Sequence, residues 1–285
     1  MHTFVDYFSH VPSAHRFAIL MGGIVFFWII EGVIPLQLLQ YSKWRHASIN
    51  LFFTLTTVVV NFGFAGMMVL ASDWSTARHS GLLNWVEMPG WLYFLVGFSL
   101  LDLIGAYLIH WLEHRIKWMW RFHLVHHSDR NIDTTSANRH HPGESVFRAV
   151  FTILAVLIIG APIWLIMLYQ SMSALLSQFN HANVSLPGKL DKMLSWVIVS
   201  PNMHKVHHHY VLPLTDTNFG NIFSIWDRIF GTYAEVERVQ DLVYGIDTHM
   251  DASECDTMKG LLTMPFGAYR PPVGAKFQSK KSDEL

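Results

Sequence analysis

The sequence predicts an all-α fold, an integral membrane helical bundle of three spans and a helical hairpin, with a cytoplasmic histidine-rich helical cap. Three observations predict it. Hydrophobic residues make up 51% of the 285 residues and charged residues only 14%, where an ordinary soluble domain carries roughly 25% charge. The apolar residues fall into long runs, each near the roughly 20 residues that cross a bilayer as a helix. Eighteen histidines are present, and ten of them sit in four groups, three of which have helical spacing.

Phe17 to Leu39 is the first span, interrupted by Glu31 and Pro35. Ser48 to Ala71 is the second. Trp91 to Ile109 is the third and carries Asp102. Trp44, Trp74, Trp85 and Trp91 lie near the ends of these runs, where amphipathic rings prefer the membrane interface. Val146 to Leu176 is a longer apolar stretch split by Gly160-Ala161-Pro162. Proline removes a backbone donor and disfavours helix just before it. If the histidines on either side of this stretch share a site, Leu176 must return to the face where Ile109 exits. An even number of crossings follows, so the stretch is a hairpin turning at Gly160 to Pro162. From Asn180 the chain is polar and rich in turns. Phe219 to Tyr233 is a short amphipathic element on the surface or over the site. The whole is one domain over 1–269, its membrane part at about 15–176 and its histidine-rich parts at about 110–145 and 180–233. A mobile tail is expected at 270–285.

Charge sets the orientation. Lys43 and Arg45 lie between spans one and two, and Arg115, Lys117, Arg121 and Arg130 follow span three. The loop between spans two and three has Arg78 beside Asp73 and Glu87. The positive-inside rule then puts the histidines and the C-terminus in the cytoplasm. The ending Ser282-Asp283-Glu284-Leu285 resembles a luminal retention signal, but that topology puts it on the wrong side. The N-terminal residues do not form a cleavable signal pattern. A formal net charge of -1 gives no reason to expect nucleic acid as a partner. The single cysteine, Cys255, excludes an internal disulfide and a thiolate metal cluster.

The histidine groups are His110-Trp-Leu-Glu-His114, His123-Leu-Val-His126-His127, the single His181, and His204-Lys-Val-His207-His208-His209. Spacings of i,i+3 and i,i+4 put imidazoles on one helix face, a turn apart. His110 and His114 fall just past span three, and Pro201 would open the helix that carries the last group. Imidazole suits iron, zinc and copper. Nine or ten clustered imidazoles are too many for one ion and suit two. The isolated His2, His10, His15, His46, His79 and His249 are interfacial or packing residues.

HxxxH, then HxxHH, then a distant HxxHH, among hydrophobic helices, resembles the fatty acid hydroxylase and sterol desaturase superfamily of membrane di-iron enzymes. Leu124-Val-His-His-Ser-Asp, Arg139-His-His-Pro-Gly-Glu144, Phe179-Asn-His-Ala-Asn183 and Trp226-Asp-Arg-Ile-Phe-Gly-Thr232 are similar to its bacterial branch. The resemblance implies metal ligands at His110, His114, His123, His126, His127, His204, His207 and His208, with His181 as the ninth. It leaves His141 as a weaker ligand and His140 and His209 as neighbours. The implied cofactor is two iron ions. The implied activity is dioxygen-dependent hydroxylation or desaturation of a lipid that enters sideways from the bilayer. Electrons would come from a small cytochrome or ferredoxin with its NAD(P)H reductase, docked on Arg115, Lys117, Arg121 and Lys205.

Metal-bound imidazoles usually donate their other ring proton to a carboxylate or carbonyl. Asp102, Glu113, Asp129, Glu144, Asp216 and Asp227 are near the groups in sequence, and Asp102 and Asp227 are singled out as outer partners. His141-Pro142-Gly143-Glu144 is not a haem motif, since the fourth residue does not match and no separate domain exists to enclose a haem. Two rival functions remain. A zinc-dependent membrane hydrolase would use H-E-x-x-H, which is absent. A metal carrier or sensor would line a path through several spans with ionisable groups, and only Glu31 and Asp102 are intramembrane.

Overall fold

The computed structural model describes residues 2–275. The basic pair Lys280-Lys281 and the terminal Ser282 to Leu285 lie outside them. A short helix α1 (His2–Ser9) leads into α2 (Ser13–Val33). The first span therefore ends before Pro35, short of Leu39. Helix α3 (Lys43–Ala77) has 35 residues. At 1.5 Å per residue it is about 50 Å long, far more than a bilayer needs, and its Lys43 end reaches into the cap. A single turn, α4 (Leu82–Trp85), precedes the third span. That span runs through α5 (Gly90–Asp102), a π-helical turn (Leu103–Leu108) and α6 (Ile109–Arg115). The π turn inserts a residue into the helical repeat and so re-aims the face that carries His110 and His114.

Helix α7 (Lys117–His127) follows after Ile116. A 3-10 turn (Thr134–Asn138) is capped by Asp133. The hairpin forms α8 (Pro142–Ile159) and α9 (Ile163–His181). Gly160 closes α8 with φ +75°, where glycine carries no steric penalty. A Cβ there would also collide with Ser80 O. Beyond it come α10 (Gly188–Leu194), α11 (Pro201–His207), α12 (Ile225–Ile229), α13 (Ala252–Cys255) and α14 (Met258–Thr263). Pro201 opens α11 as its spacing predicts, and Ser200 Oγ caps it by accepting from Met203 N at 3.3 Å. Among the described residues there is no strand, only four isolated bridges.

Four helices are long and apolar enough to cross a membrane, at Ser13–Val33, Lys43–Trp85, Gly90–Arg115 and Pro142–Ile159. The chain is a membrane protein. The main apolar core joins the last three of these to α9, with Leu101, Val156, Ile159, Leu165 and Ile166 fully buried. One end of the bundle is covered by α7, α11 and the loops to Phe266. The histidines collect there. Val273 N donates to Asp247 Oδ2 at 3.0 Å near the end of the described chain.

Candidate metal centre

Nine of the ten histidines of the four groups converge, although they come from α6, α7, α9, α11 and its C-cap. His110, His114, His123, His127 and His207 offer ring nitrogens that all lie within 4.8 Å of one another. His126, His181, His204 and His208 form a second such group. The two groups adjoin, with the His127 and His208 rings 4.8 Å apart at their centroids. Each HxxHH motif serves both groups. Neighbouring helical residues point about 100° apart, so His127 turns to one group and His126 to the other. His207 and His208 divide in the same way.

Hydrogen bonds at Nδ1 fix which ring nitrogen points inward. His110 Nδ1 donates to Phe219 O at 2.8 Å, His207 Nδ1 to Thr217 O at 2.6 Å and His181 Nδ1 to Ser177 O at 2.7 Å. His123 Nδ1 lies 2.8 Å from Glu144 Oε1, and His114 Nδ1 lies 3.2 Å from Asp216 Oδ1. Carbonyls and carboxylates only accept, so Nδ1 carries the proton in these rings. Each Nε2 then presents a lone pair to the group. His127 Nε2 is 3.1 Å from the Nε2 atoms of both His114 and His123. His181 Nε2 is 3.2 Å from His126 Nε2 and 3.0 Å from His204 Nε2.

A metal fits this donor set. Crowded lone pairs repel unless a cation sits among them. Nε2 atoms 3.0–3.2 Å apart are close enough for one ion to bond several of them at the roughly 2.0–2.1 Å of a metal–imidazole bond. His110 Nε2 and His207 Nε2 are buried without any hydrogen-bond partner, which is costly unless something binds them. Burial also pushes His126, His127, His204, His207 and His208 well below their ordinary pKa, helped by repulsion from neighbouring imidazoles. Burial takes His123 down to about 3, against the pull of Glu144. Neutral imidazole is the form that binds metal.

The outer partners differ from those singled out in the sequence. Glu144 and Asp216 touch histidines directly, and Glu144 Oε1 also lies 2.7 Å from His140 Nδ1. Arg148 pairs with Glu144 at 3.0 Å and with the buried Glu113 at 2.5 Å. Asp102 and Asp227 reach no histidine. Asp102 accepts from Ile222 N, Phe223 N and Trp226 Nε1 at 3.0–3.2 Å. Asp227 accepts from Phe219 N at 2.7 Å and Gly220 N at 2.9 Å. Asp227 therefore acts through the backbone that supplies the Phe219 carbonyl, and Asp102 holds the turn that follows it. Sequence reasoning missed this carbonyl and that of Thr217, because main-chain acceptors leave no mark in side-chain identity.

His141 joins neither group. Its Nδ1 accepts from Gly143 N at 3.0 Å, so the ring caps α8. His209 also stands outside both, on the strand-like bridge to Tyr244. His140 stacks on His126 with centroids 4.7 Å apart and shares Glu144 with His123. Lys205 is not part of a basic surface. It is fully buried, and its ammonium donates to His181 O. One residue past His204 on α11, it points about 100° from that ring, toward the His181 carbonyl. A cavity of about 20 Å³ beside His114, lined by Trp120, Asp216 and Tyr269, has room for about one water.

A helical membrane protein with two adjoining all-histidine cages at one end of its bundle belongs to the class of membrane metalloproteins. Comparison narrows that class. The model of the family described as fatty acid hydroxylase matches residues 91–232, a stretch that holds all nine histidines, and the chain belongs to the fatty acid hydroxylase superfamily. Iron is the metal of that family. The chain is 30% identical to ornithine lipid hydroxylase OlsE of Rhizobium tropici over 143 residues, 50% of this chain and 42% of the relative. It is 24% identical to alkylglycerol monooxygenase of Xenopus tropicalis over 216 residues, 67% of this chain and 47% of the relative. It is 32% identical to alkylglycerol monooxygenase of Homo sapiens over 154 residues, 51% of this chain and 31% of the relative. The matches span about half the length of the first two relatives or less. No solved structure matches the chain.

Proposed function

We propose that the protein is a membrane-bound di-iron oxygenase that hydroxylates or desaturates a lipid, using dioxygen and external electrons. The observation that carries this reading is the split of nine buried Nε2-facing histidines into two adjoining groups. Iron bound in these groups would supply dioxygen activation strong enough to break an unactivated C–H bond. His110, His114, His123, His127 and His207 would hold one ion, and His126, His181, His204 and His208 the other.

The remaining work falls to the protein. Phe219 O, Thr217 O, Ser177 O, Glu144 and Asp216 hold five rings in one tautomer and orientation. Fixed outer partners of this kind set ligand basicity and metal affinity. The close-packed cap keeps water from the reacting carbon. In hydroxylation one oxygen atom enters the C–H bond and the other leaves as water. Desaturation removes hydrogen from two neighbouring carbons. Both need electrons from a donor protein, for which Arg115, Lys117 and Arg121 form the basic face beside α7. The positive-inside asymmetry supports a cytoplasmic placement of the histidine end and the C-terminus. Two relatives are named for an ornithine lipid and for alkylglycerols, which favours a polar membrane lipid as substrate.

The test is iron content and dioxygen consumption of the purified protein, with lipid analysis of a deletion strain beside wild type. One lipid class should lose a hydroxyl group or a double bond, and the protein should hold close to two irons per chain. Unchanged lipids together with zinc in place of iron would overturn the reading in favour of the zinc hydrolase.

A further inference from the structure

An apolar groove of about 660 Å³ runs along the membrane part of the molecule between α2 and α9 and closes against Leu194 and Ile198. Its size is in the range of small-ligand sites, about 300–1,000 Å³. The histidine centre does not account for it. Two glycines build it, with opposite roles. A Cβ on Gly23 would press into Gln178 Oε1 and lie 2.8 Å from Leu175 Cδ2, so Gly23 lets α2 and α9 approach. Gly22, one residue earlier, has nothing within 4 Å of such a Cβ and leaves the trough open. Ile19, Phe26, Met172, Leu175 and Phe179 line the walls, and no charged residue does.

Both ends of this groove are placed by the fold. At one end lie Ala18 and Met172, inside the membrane segment. At the other, Phe179 faces Phe27 with ring centroids 5.7 Å apart, and α9 continues two residues to His181. Ile198 leads in three residues to Pro201 and the helix that carries His204. So α9 and the segment that closes the groove both run into elements that hold the second histidine group. The rim at this end has exposed Met193, Trp196 and Val197. Arg228 stacks over the Trp196 ring at 4.8 Å. An exposed tryptophan and a cation beside apolar groups are what the lipid headgroup layer favours.

We propose that this groove binds the alkyl or acyl chain of a single lipid molecule, its polar head at the Trp196–Arg228 rim and its tail toward Ala18 and Met172. The proposal rests on the lipid-oxygenase reading and deepens it. A polar head does not enter an apolar trough, so the chain has one orientation. The histidine-bearing ends of α9 and α11 are on the head side. The carbons brought toward them are those nearest the head, and the distal methyl end lies in the bilayer.

The test is photolabelling of the full-length, iron-loaded protein in phospholipid nanodiscs. The probe is a sixteen-carbon alkylglycerol with a mid-chain diazirine, and labelled peptides are mapped by mass spectrometry. Label should concentrate on α2 near Phe26 and on α9 near Met172 and Leu175, and unlabelled alkylglycerol should compete it away. Gly22→Trp should cut this labelling about tenfold, and Met172→Trp should do so from the opposite wall. Phe62→Trp, on the lipid-exposed face of α3, should leave it unchanged. Iron content reports whether each variant is folded, and if Gly22→Trp loses iron, Met172→Trp decides. Label spread evenly over α2 and α3, or full labelling in a groove variant that keeps its iron, would overturn the proposal. The readout needs no turnover, so a labelled groove in a protein that oxidises no lipid would instead count against the oxygenase reading.

Discussion

Asp227 accepts the backbone N–H of Phe219 at 2.7 Å, and through that residue it governs a histidine it never touches. The Phe219 carbonyl takes the Nδ1 proton of His110 at 2.8 Å. Burial lifts the Asp227 carboxyl to about 6, opposed by hydrogen bonds from Thr232, Gly220 and Phe219. Three donors, Phe219 N, Gly220 N and Thr232 Oγ1, face the carboxyl, and it holds the turn by accepting from all of them. Asp227→Ala should therefore release the Phe219 carbonyl and loosen His110. Losing an outer partner of a ligand typically weakens metal binding about 10- to 100-fold. Iron titration of the variant should show such a weakening, and unchanged affinity would show that the turn holds itself.

His207→Ala and His208→Ala should differ although the residues are adjacent. The first removes a nitrogen from the five-histidine group and the second from the four-histidine group. If each group holds one iron, as proposed, each variant should lose the ion of its own group first, and Mössbauer spectra of partly loaded protein should differ between them. His141→Ala is the contrast. It removes a helix cap worth about 1 kcal/mol and should leave iron content at the wild-type level.

Arg148 neutralises two buried carboxylates at once, Glu113 at 2.5 Å and Glu144 at 3.0 Å. Arg148→Met strands Glu113, while Glu144 keeps His123 Nδ1 at 2.8 Å. Removing one partner of a buried ion pair typically costs about 3–5 kcal/mol. Thermal unfolding in detergent should show a large loss, and adding Glu113→Gln should recover part of it. A variant as stable as wild type would mean that solvent reaches the pair.

Acid should destabilise the metal-free protein. His123, His126, His127, His204, His207 and His208 all have lowered pKa values in the folded state, chiefly through burial. The unfolded chain takes up protons first, near the ordinary value of about 6.5. Their contribution is whole above that pH and is lost as pH falls toward the folded values, at up to about 1.4 kcal/mol per pH unit for each ring. Unfolding temperature measured from about pH 8 to about pH 5 should fall steeply below about 6.5. Bound iron should flatten the upper part of that curve, because a coordinated ring cannot take a proton. A flat profile without metal would mean that water already reaches the rings.

Local chemistry made much of this molecule legible. Pro162 and Gly160 mark the hairpin because their effects on the backbone need no tertiary partner. Pro201 marks the start of α11 for the same reason. The α2 boundary was harder, because the apolar run continues to Leu39 while the helix stops before Pro35. Lys205 lies inside rather than on the surface: its charge predicts exposure, and only the fold brings it to the His181 carbonyl and the charge of Glu31.

By itself the sequence determined the helical spans, the turn of the hairpin and the identity of the nine clustered imidazoles. These follow from apolar periodicity, proline and glycine geometry and the turn-by-turn spacing of side chains, all local properties. Tertiary structure alone decided the division into five and four and the choice of Glu144 and Asp216 over Asp102 and Asp227 as direct partners. It also decided the removal of His141 from the site and the opening of a groove beside Gly22. Those depend on how α7, α9 and α11 meet, and adjacent residues such as His126 and His127 point about 100° apart. What each ring faces is set by the neighbouring helix, which the local chain does not encode.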